Sequence, residues 1–216
     1  MKHFQSVILA GCVLLCVSCA GLGAAKIPAA PPETAPERQP ERPAARPPER
    51  PMLPEQILGQ GRVRAEQLAA FLLERNASAE AGFAGNLAAL YIEECSAEGV
   101  NHDVAFSQMC LETGFLRYGG LVTPDMNNFC GLGAIGPEQR GERFPSPRIG
   151  VRAHVQHLKG YAAGTPLNRE LVDPRYRWIK YGSAPTIYEL AGRWASDPEY
   201  GNKINAILER LYNHAF

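Results

Sequence analysis

"NHDVAFSQMCLETGFLRYGG", residues 101–120, is the stretch on which the fold turns. Asn101 is a residue type that caps helix N-termini and Asp103 suits a first turn, so HDVAFSQMCLET (102–113) is predicted to be helical. A glycine and aromatic loop follows. Within the helix Ala105, Met109 and Glu112 stand at i, i+4 and i+7, on one stripe that is apolar apart from its last member. A carboxylate there is costly. Partial burial disfavours the ionised form, and the negative end of the helix dipole disfavours it further, so both raise its pKa. An acid still protonated near neutrality is what donation to a leaving oxygen requires. Spacing alone leaves open a plainer role, in which Glu112 caps neighbouring backbone or pairs with Arg117.

The segments around it read mostly helical. Leu68, Phe71 and Leu72 repeat at helical spacing in VRAEQLAAFLLERN (63–76). Leu87, Leu90, Tyr91 and Cys95 do so in FAGNLAALYIEECSAEG, which ends at Gly99. Ser146-Pro147 opens PRIGVRAHVQHLKGYA, Asp173-Pro174 opens PRYRWIKY, Thr186 opens IYELAGRWA and Asp197-Pro198 opens PEYGNKINAILERLYN, three of the four with proline at the first helical position. Only residues 119–145, rich in Gly and Pro, leave room for a small hairpin. The expected fold class is therefore mainly α, a helical domain with a small irregular or β-hairpin lobe.

The N-terminal quarter is different in kind. Of 18 prolines, 10 lie between Pro28 and Pro54. Before them MKHFQSVILAGCVLLCVSCAG has a short positive start, an apolar stretch too short to span a bilayer, and small residues around Cys19, the layout of a secretory signal. Val17-Ser18-Cys19 is similar to a bacterial lipobox and is preferred; Leu9-Ala10-Gly11-Cys12 is more regular by pattern but would leave an apolar core of only about seven residues, at the bottom of the usual range. The expected organisation is a signal peptide over 1–18, a linker lipidated at Cys19 and running over 19–54, and a domain over 55–216. Pro, Ala, Glu and Arg without large apolar groups cannot bury a core, so the linker stays disordered and extended. In polyproline II geometry it reaches roughly 90 Å. An exported, membrane-anchored lipoprotein follows, periplasmic or at the cell surface, anchored to the membrane without crossing it.

The domain holds about 160 residues, enough for one substantial core. The chain carries 22 Lys and Arg against 22 Asp and Glu, and no basic patch argues for nucleic acid. No internal repeat is visible. A monomer is expected.

Four segments, QMCLETGFLRYGG (108–120), NNFCGLGA (127–134), FPSPRIGVRAHVQHLKGYA (144–162) and ASDPEYGNKI (195–204), together and in this order resemble the bacterial glucosaminidase family. These are lysozyme-like enzymes that cleave the glycan of peptidoglycan, and the resemblance runs from about Arg64 to Tyr212. It implies that Glu112, in the Glu-[Ser/Thr]-Gly motif, is the catalytic acid. It implies that Asn127, Asn128 and Phe129 line the sugar groove, and that Tyr200, in the Asp-Pro-x-Tyr motif, stands near the reaction centre. Residue chemistry agrees, because Asn supplies both donors and acceptors to hydroxyl and N-acetyl groups, and Tyr118, Phe129 or Tyr181 offer flat faces to sugar rings. An Asn-Asn turn also serves its own backbone, a tyrosine early in a helix also packs, and Gly131 and Gly133 suit positive φ.

A second carboxylate is expected from glycosidase chemistry, within about 5–5.5 Å of the acid when configuration is retained and farther when inverted. The small lobe offers Asp125, Glu138 and Glu142, of which Glu142, just before RFPSP, is preferred. Without one, the substrate's N-acetyl group or Tyr200 would meet the developing positive charge. The implied activity is endo-β-N-acetylglucosaminidase action on β-1,4 links of peptidoglycan strands, with no metal and no organic cofactor. The alternatives are a lipoprotein that binds the glycan without cutting it and a lytic transglycosylase.

Other constellations carry less. His154 and His157, at i and i+3, would need Cys110 or Cys130 to form a zinc site, and their helix reads as a packing element through Ile149, Val151, Val155 and Leu158. Cys110, one turn after Phe106, reads as a buried apolar residue and not as a nucleophile. Cys95, Cys110 and Cys130 allow at most one disulfide.

Overall fold

The structure is a computed structural model that describes residues 51–216. The signal segment, Cys19 and nearly all of the expected linker lie outside the described residues. Five α-helices carry the fold: α1 (Ala65–Arg75), α2 (Ala81–Glu98), α3 (His102–Thr113), α4 (Pro147–Ala162) and α5 (Tyr200–Ala215). The lobe between α3 and α4 holds one hairpin, β1 (Ala134–Gly136) antiparallel to β2 (Gln139–Arg140). The chain is thus mainly α with a small β-hairpin lobe. No described helix is long and apolar enough to cross a membrane.

Local chemistry sets the helix ends. The Asn101 side chain accepts from the backbone N–H groups of Asp103 and Val104, closing the α3 N-terminus. Gly114, at φ 57°, turns the chain out of α3 in the left-handed conformation that glycine reaches without a Cβ penalty. Ser146 Oγ accepts from Ile149 N ahead of α4, with Pro147 as its first residue.

Two expected helices contract. PRYRWIKY forms only a 3-10 turn at Tyr176–Trp178, and IYELAGRWA only one at Tyr188–Leu190. Their backbone groups find partners elsewhere. Gly182 N and Ala184 N donate to the Gly160 and Tyr161 carbonyls at the end of α4, while Ile57 N donates to Pro185 O and Ile187 N to Glu55 O. These long-range bonds replace the i→i−4 ladder a helix would need. The last helix starts two residues after Pro198, because Asp197 Oδ1 accepts from Glu199 N in a turn.

Helix α3 is the axle of the domain. It packs against α2, α4 and α5, and every residue from Asp103 to Cys110 is buried. It therefore has no solvated face, and its polar members need internal partners. Asp103 accepts from Arg62 N, Val63 N and the Tyr212 hydroxyl. Ion pairs join α2 to α4 beside it: Lys159 Nζ lies 2.8 Å from Glu98 Oε2, both buried, and Arg148 and Arg152 bracket Glu94. Leu68, Phe71, Leu87, Tyr91, Phe106, Val155, Leu158, Ile204 and Leu208 complete the core around α3.

The lobe is pressed onto α4 at Gly150. A Cβ there would lie 1.7 Å from the Asn127 carbonyl oxygen, so only glycine lets the loop seat. The three described cysteines, Cys95, Cys110 and Cys130, are buried and free, so the one disulfide that their number permits is not formed among them.

Candidate active site

Because α3 is buried along its length, Glu112 emerges only at its last turn, half-buried at the floor of a groove. It lines a recess of about 240 Å³ with Thr113, Tyr118, Val122, Asn128, Gly131 and Ala134. Tyr118 is shared with a neighbouring recess of about 420 Å³ beside Phe83 and Leu116. Gly131 and Ala134 are shared with another of about 300 Å³, walled by His157, Tyr161, Arg175, Arg193 and Trp194. Glu112 thus lines the recess that shares walls with both of the others.

Two side chains from the C-terminal third hold the carboxyl. Tyr200, the first residue of α5, donates its hydroxyl hydrogen to Glu112 Oε1, and Trp194 Nε1 donates to the same oxygen at 3.1 Å. Oε2 points to the loop, where a Cβ on Gly131 would stand 3.4 Å away. Burial pushes the Glu112 carboxyl above the usual carboxylate range, while the Tyr200 and Trp194 hydrogen bonds to the charged form draw it partly back. Burial, and then the Glu112 charge, lifts the Tyr200 hydroxyl well above a free tyrosine. Arg117 does not pair with Glu112; it donates to the Gly114 and Arg75 carbonyls. The pairing that spacing left open is thereby corrected: Gly114 swings the chain so that Arg117 faces the end of α1.

The other expected site residues separate into two groups. Tyr118 is half-buried on the groove wall, and burial raises its hydroxyl to about 12. Glu142 rests against Gly133, where a Cβ would lie 3.0 Å from its Oε1, and is 3.6 Å from Arg175 Nη1. Both Glu112 and Glu142 thus abut the single segment 131–133. Asp125 pairs with Arg143 at 2.8 Å on the surface, and Glu138 is exposed in the hairpin turn. Tyr181 stacks on Tyr176 outside the three recesses.

Phe129 is a correction, whereas Asn128 lines the recess beside Glu112 with its amide turned to its own loop. Asn128 Nδ2 donates to the Leu132 and Glu142 carbonyls at 2.9 and 3.0 Å, and Oδ1 accepts from Leu132 N at 3.0 Å and from Cys130 N. Its amide is saturated by its own loop. Phe129 is fully buried, with its ring 6.4 Å from that of Phe83. Phe129 shapes the groove from beneath it, while Asn128 stays on its wall. Asn127 is left-handed at φ 51° and donates through Nδ2 to Phe144 O at 3.0 Å. The zinc reading also loses its ligands, because His154 bonds Tyr91 and Gln108, and His157 Nδ1 bonds Asp173 at 2.7 Å. Burial lifts the Cys110 thiol far above its ordinary value, which removes it as a nucleophile.

Trp194 was not singled out by the sequence, although it directly precedes the 195–204 motif. Gln108 was missed too, and His154 was weighed only as a metal ligand. Nothing in helical spacing marks them, since each acts through a residue far along the chain.

A half-buried acid whose pKa burial raises, lining a recess beside the loop segment 131–133 that Glu142 also touches, suits the chemistry of a glycoside hydrolase. The family comparison agrees with that class. The chain belongs to the glucosaminidase family, described as mannosyl-glycoprotein endo-beta-N-acetylglucosaminidase, whose model matches residues 88–213. An uncharacterized protein of Borreliella burgdorferi is 40% identical over 161 residues, covering 74% of this chain and 79% of its own length. Among solved structures, the crystal structure of S. aureus autolysin E in complex with the muropeptide NAM-L-Ala-D-iGlu superposes with a TM-score of 0.47 at 15% identity, over 75% of this chain and 74% of that one.

Proposed function

We propose that the protein is an exported, lipid-anchored endo-β-N-acetylglucosaminidase that hydrolyses β-1,4 links of peptidoglycan. The observation that carries this reading is the environment of Glu112: burial raises its pKa, two donors fix one oxygen, and the other faces Gly131 on the wall of an open recess. Glu112 gives its proton to the glycosidic oxygen as the bond to the anomeric carbon breaks, and a water molecule then adds to that carbon. Glu142, across the 131–133 segment and beside Arg175, is the second carboxylate, accepting the proton of the attacking water. Tyr118 supplies an aromatic face for a ring, and Tyr200 holds the acid.

The test is product analysis on purified peptidoglycan. Release of reducing N-acetylglucosamine ends is expected, with Glu112→Gln slowing it at least about 10³-fold while sedimentation with the glycan persists. Anhydro-sugar ends in the mass spectrum would assign a lytic transglycosylase instead. Binding without release by the unaltered protein would leave a non-catalytic wall-binding lipoprotein.

A further inference from the structure

Behind Tyr200 runs a line of buried polar side chains that core packing does not explain. Gln108 Nε2, on α3, donates to the Tyr200 hydroxyl oxygen at 2.8 Å. Gln108 Oε1 lies 2.9 Å from His154 Nε2 on α4, and His154 Nδ1 lies 2.8 Å from the Tyr91 hydroxyl on α2. All four residues are buried, and the line crosses four helices. An amide oxygen only accepts, so His154 must carry its hydrogen on Nε2, which leaves Nδ1 to accept from Tyr91. Every donor then points the same way, from Tyr91 through His154, Gln108 and Tyr200 to Glu112 Oε1.

The direction matters at the end of the line. Oε1 receives hydrogens from both Tyr200 and Trp194, so a third hydrogen on that oxygen has no room. Oε2 has no such donor and faces Gly131 and the groove. We propose that Gln108 and His154 are positioning residues for the reaction: they lock the Tyr200 hydroxyl as a donor to Oε1 and so confine the transferable proton of Glu112 to Oε2. This rests on Glu112 being the acid.

The surroundings keep the line neutral. His154 is faced by the Tyr91 hydroxyl, Gln108, and the rings of Trp194 and His157, and burial with the nearby His157 holds it down to about 3. Glu112 is faced by Tyr200, Trp194 and the buried Cys130 thiol, and Tyr200 by Glu112, Gln108 and that same thiol. No charged side chain interrupts the run.

The experiment combines turnover with a readout that needs none. In the full chain, Gln108→Met keeps length and removes the amide. Its kcat is expected to fall about tenfold or more with KM unchanged within about twofold, and the alkaline limb of its pH profile to move up as in Tyr200→Phe. Adding Gln108→Met to Tyr200→Phe should cost no more than about a further twofold, since both act through one hydroxyl. Independent, multiplying losses, or a KM effect with an unmoved pH profile, would overturn the proposal. Should Gln108→Met not fold, nitrogen NMR of His154 in the unaltered protein decides it. A neutral ring with hydrogen on Nε2 from pH 5 to 9 is expected; an Nδ1–H tautomer, or a ring that protonates near pH 6, refutes the line. A protein inactive on every glycan would sink the enzymatic reading and with it the reaction role, while the tautomer would still report the line's direction.

Discussion

Glu112 sits where its charge is disfavoured, and that has a consequence for stability as well as for chemistry. Its folded pKa is raised, so its contribution to stability is complete below the ordinary carboxylate value of 4.5 and is lost as pH rises through the folded value. Glu112→Gln, which keeps an oxygen for Tyr200 and Trp194 while removing the charge, should therefore melt higher than the unaltered protein at pH 8. The gap should shrink toward pH 4, and thermal denaturation across that range checks it. On the proposed reading of Glu112 as the acid, activity should run with the same titration, falling as pH rises and the carboxyl deprotonates. At this scale the sequence was legible where a residue broke a local rule, as Glu112 does on its apolar stripe. It was opaque where a role depends on distant partners. Trp194 meets Glu112 across 82 positions, and Gln108 meets Tyr200 across 92. Asn128 shows both sides of an Asn-Asn turn: it lines the recess, and its amide is saturated by its own loop.

The elements that sequence patterning identified are those whose ends carry their own chemistry. Asn101, Gly99, Gly114 and Ser146 stop or start helices through local bonds, and each acts as periodicity and capping rules anticipate. Residues 174–195 were misread because their backbone partners lie on α4 and near residue 56, which no local pattern encodes. Two substitutions probe how elements are held. Gly150→Ala places a methyl against the Asn127 carbonyl, so α4 and the lobe must part; a loss of about 3 kcal/mol is expected in urea unfolding. Lys159→Met strands the buried Glu98 carboxylate, which keeps only the Asn168 and Arg169 N–H donors, and should cost about 3 kcal/mol in the same assay.

For the whole molecule, the separation of a Pro-rich tether from a folded domain is the part of the organisation that composition alone suggests. We propose that the tether lets an anchored head reach glycan strands at a distance. Removing residues 1–54 should then leave turnover of soluble glycan fragments unchanged while a membrane-anchored form loses reach when the tether is shortened, which release from intact sacculi would measure. The domain itself is joined by packing and ion pairs, not by cross-links, and its three buried thiols are all unbonded. The described domain accordingly rests on no disulfide, and its melting should be the same with a thiol reductant as without one.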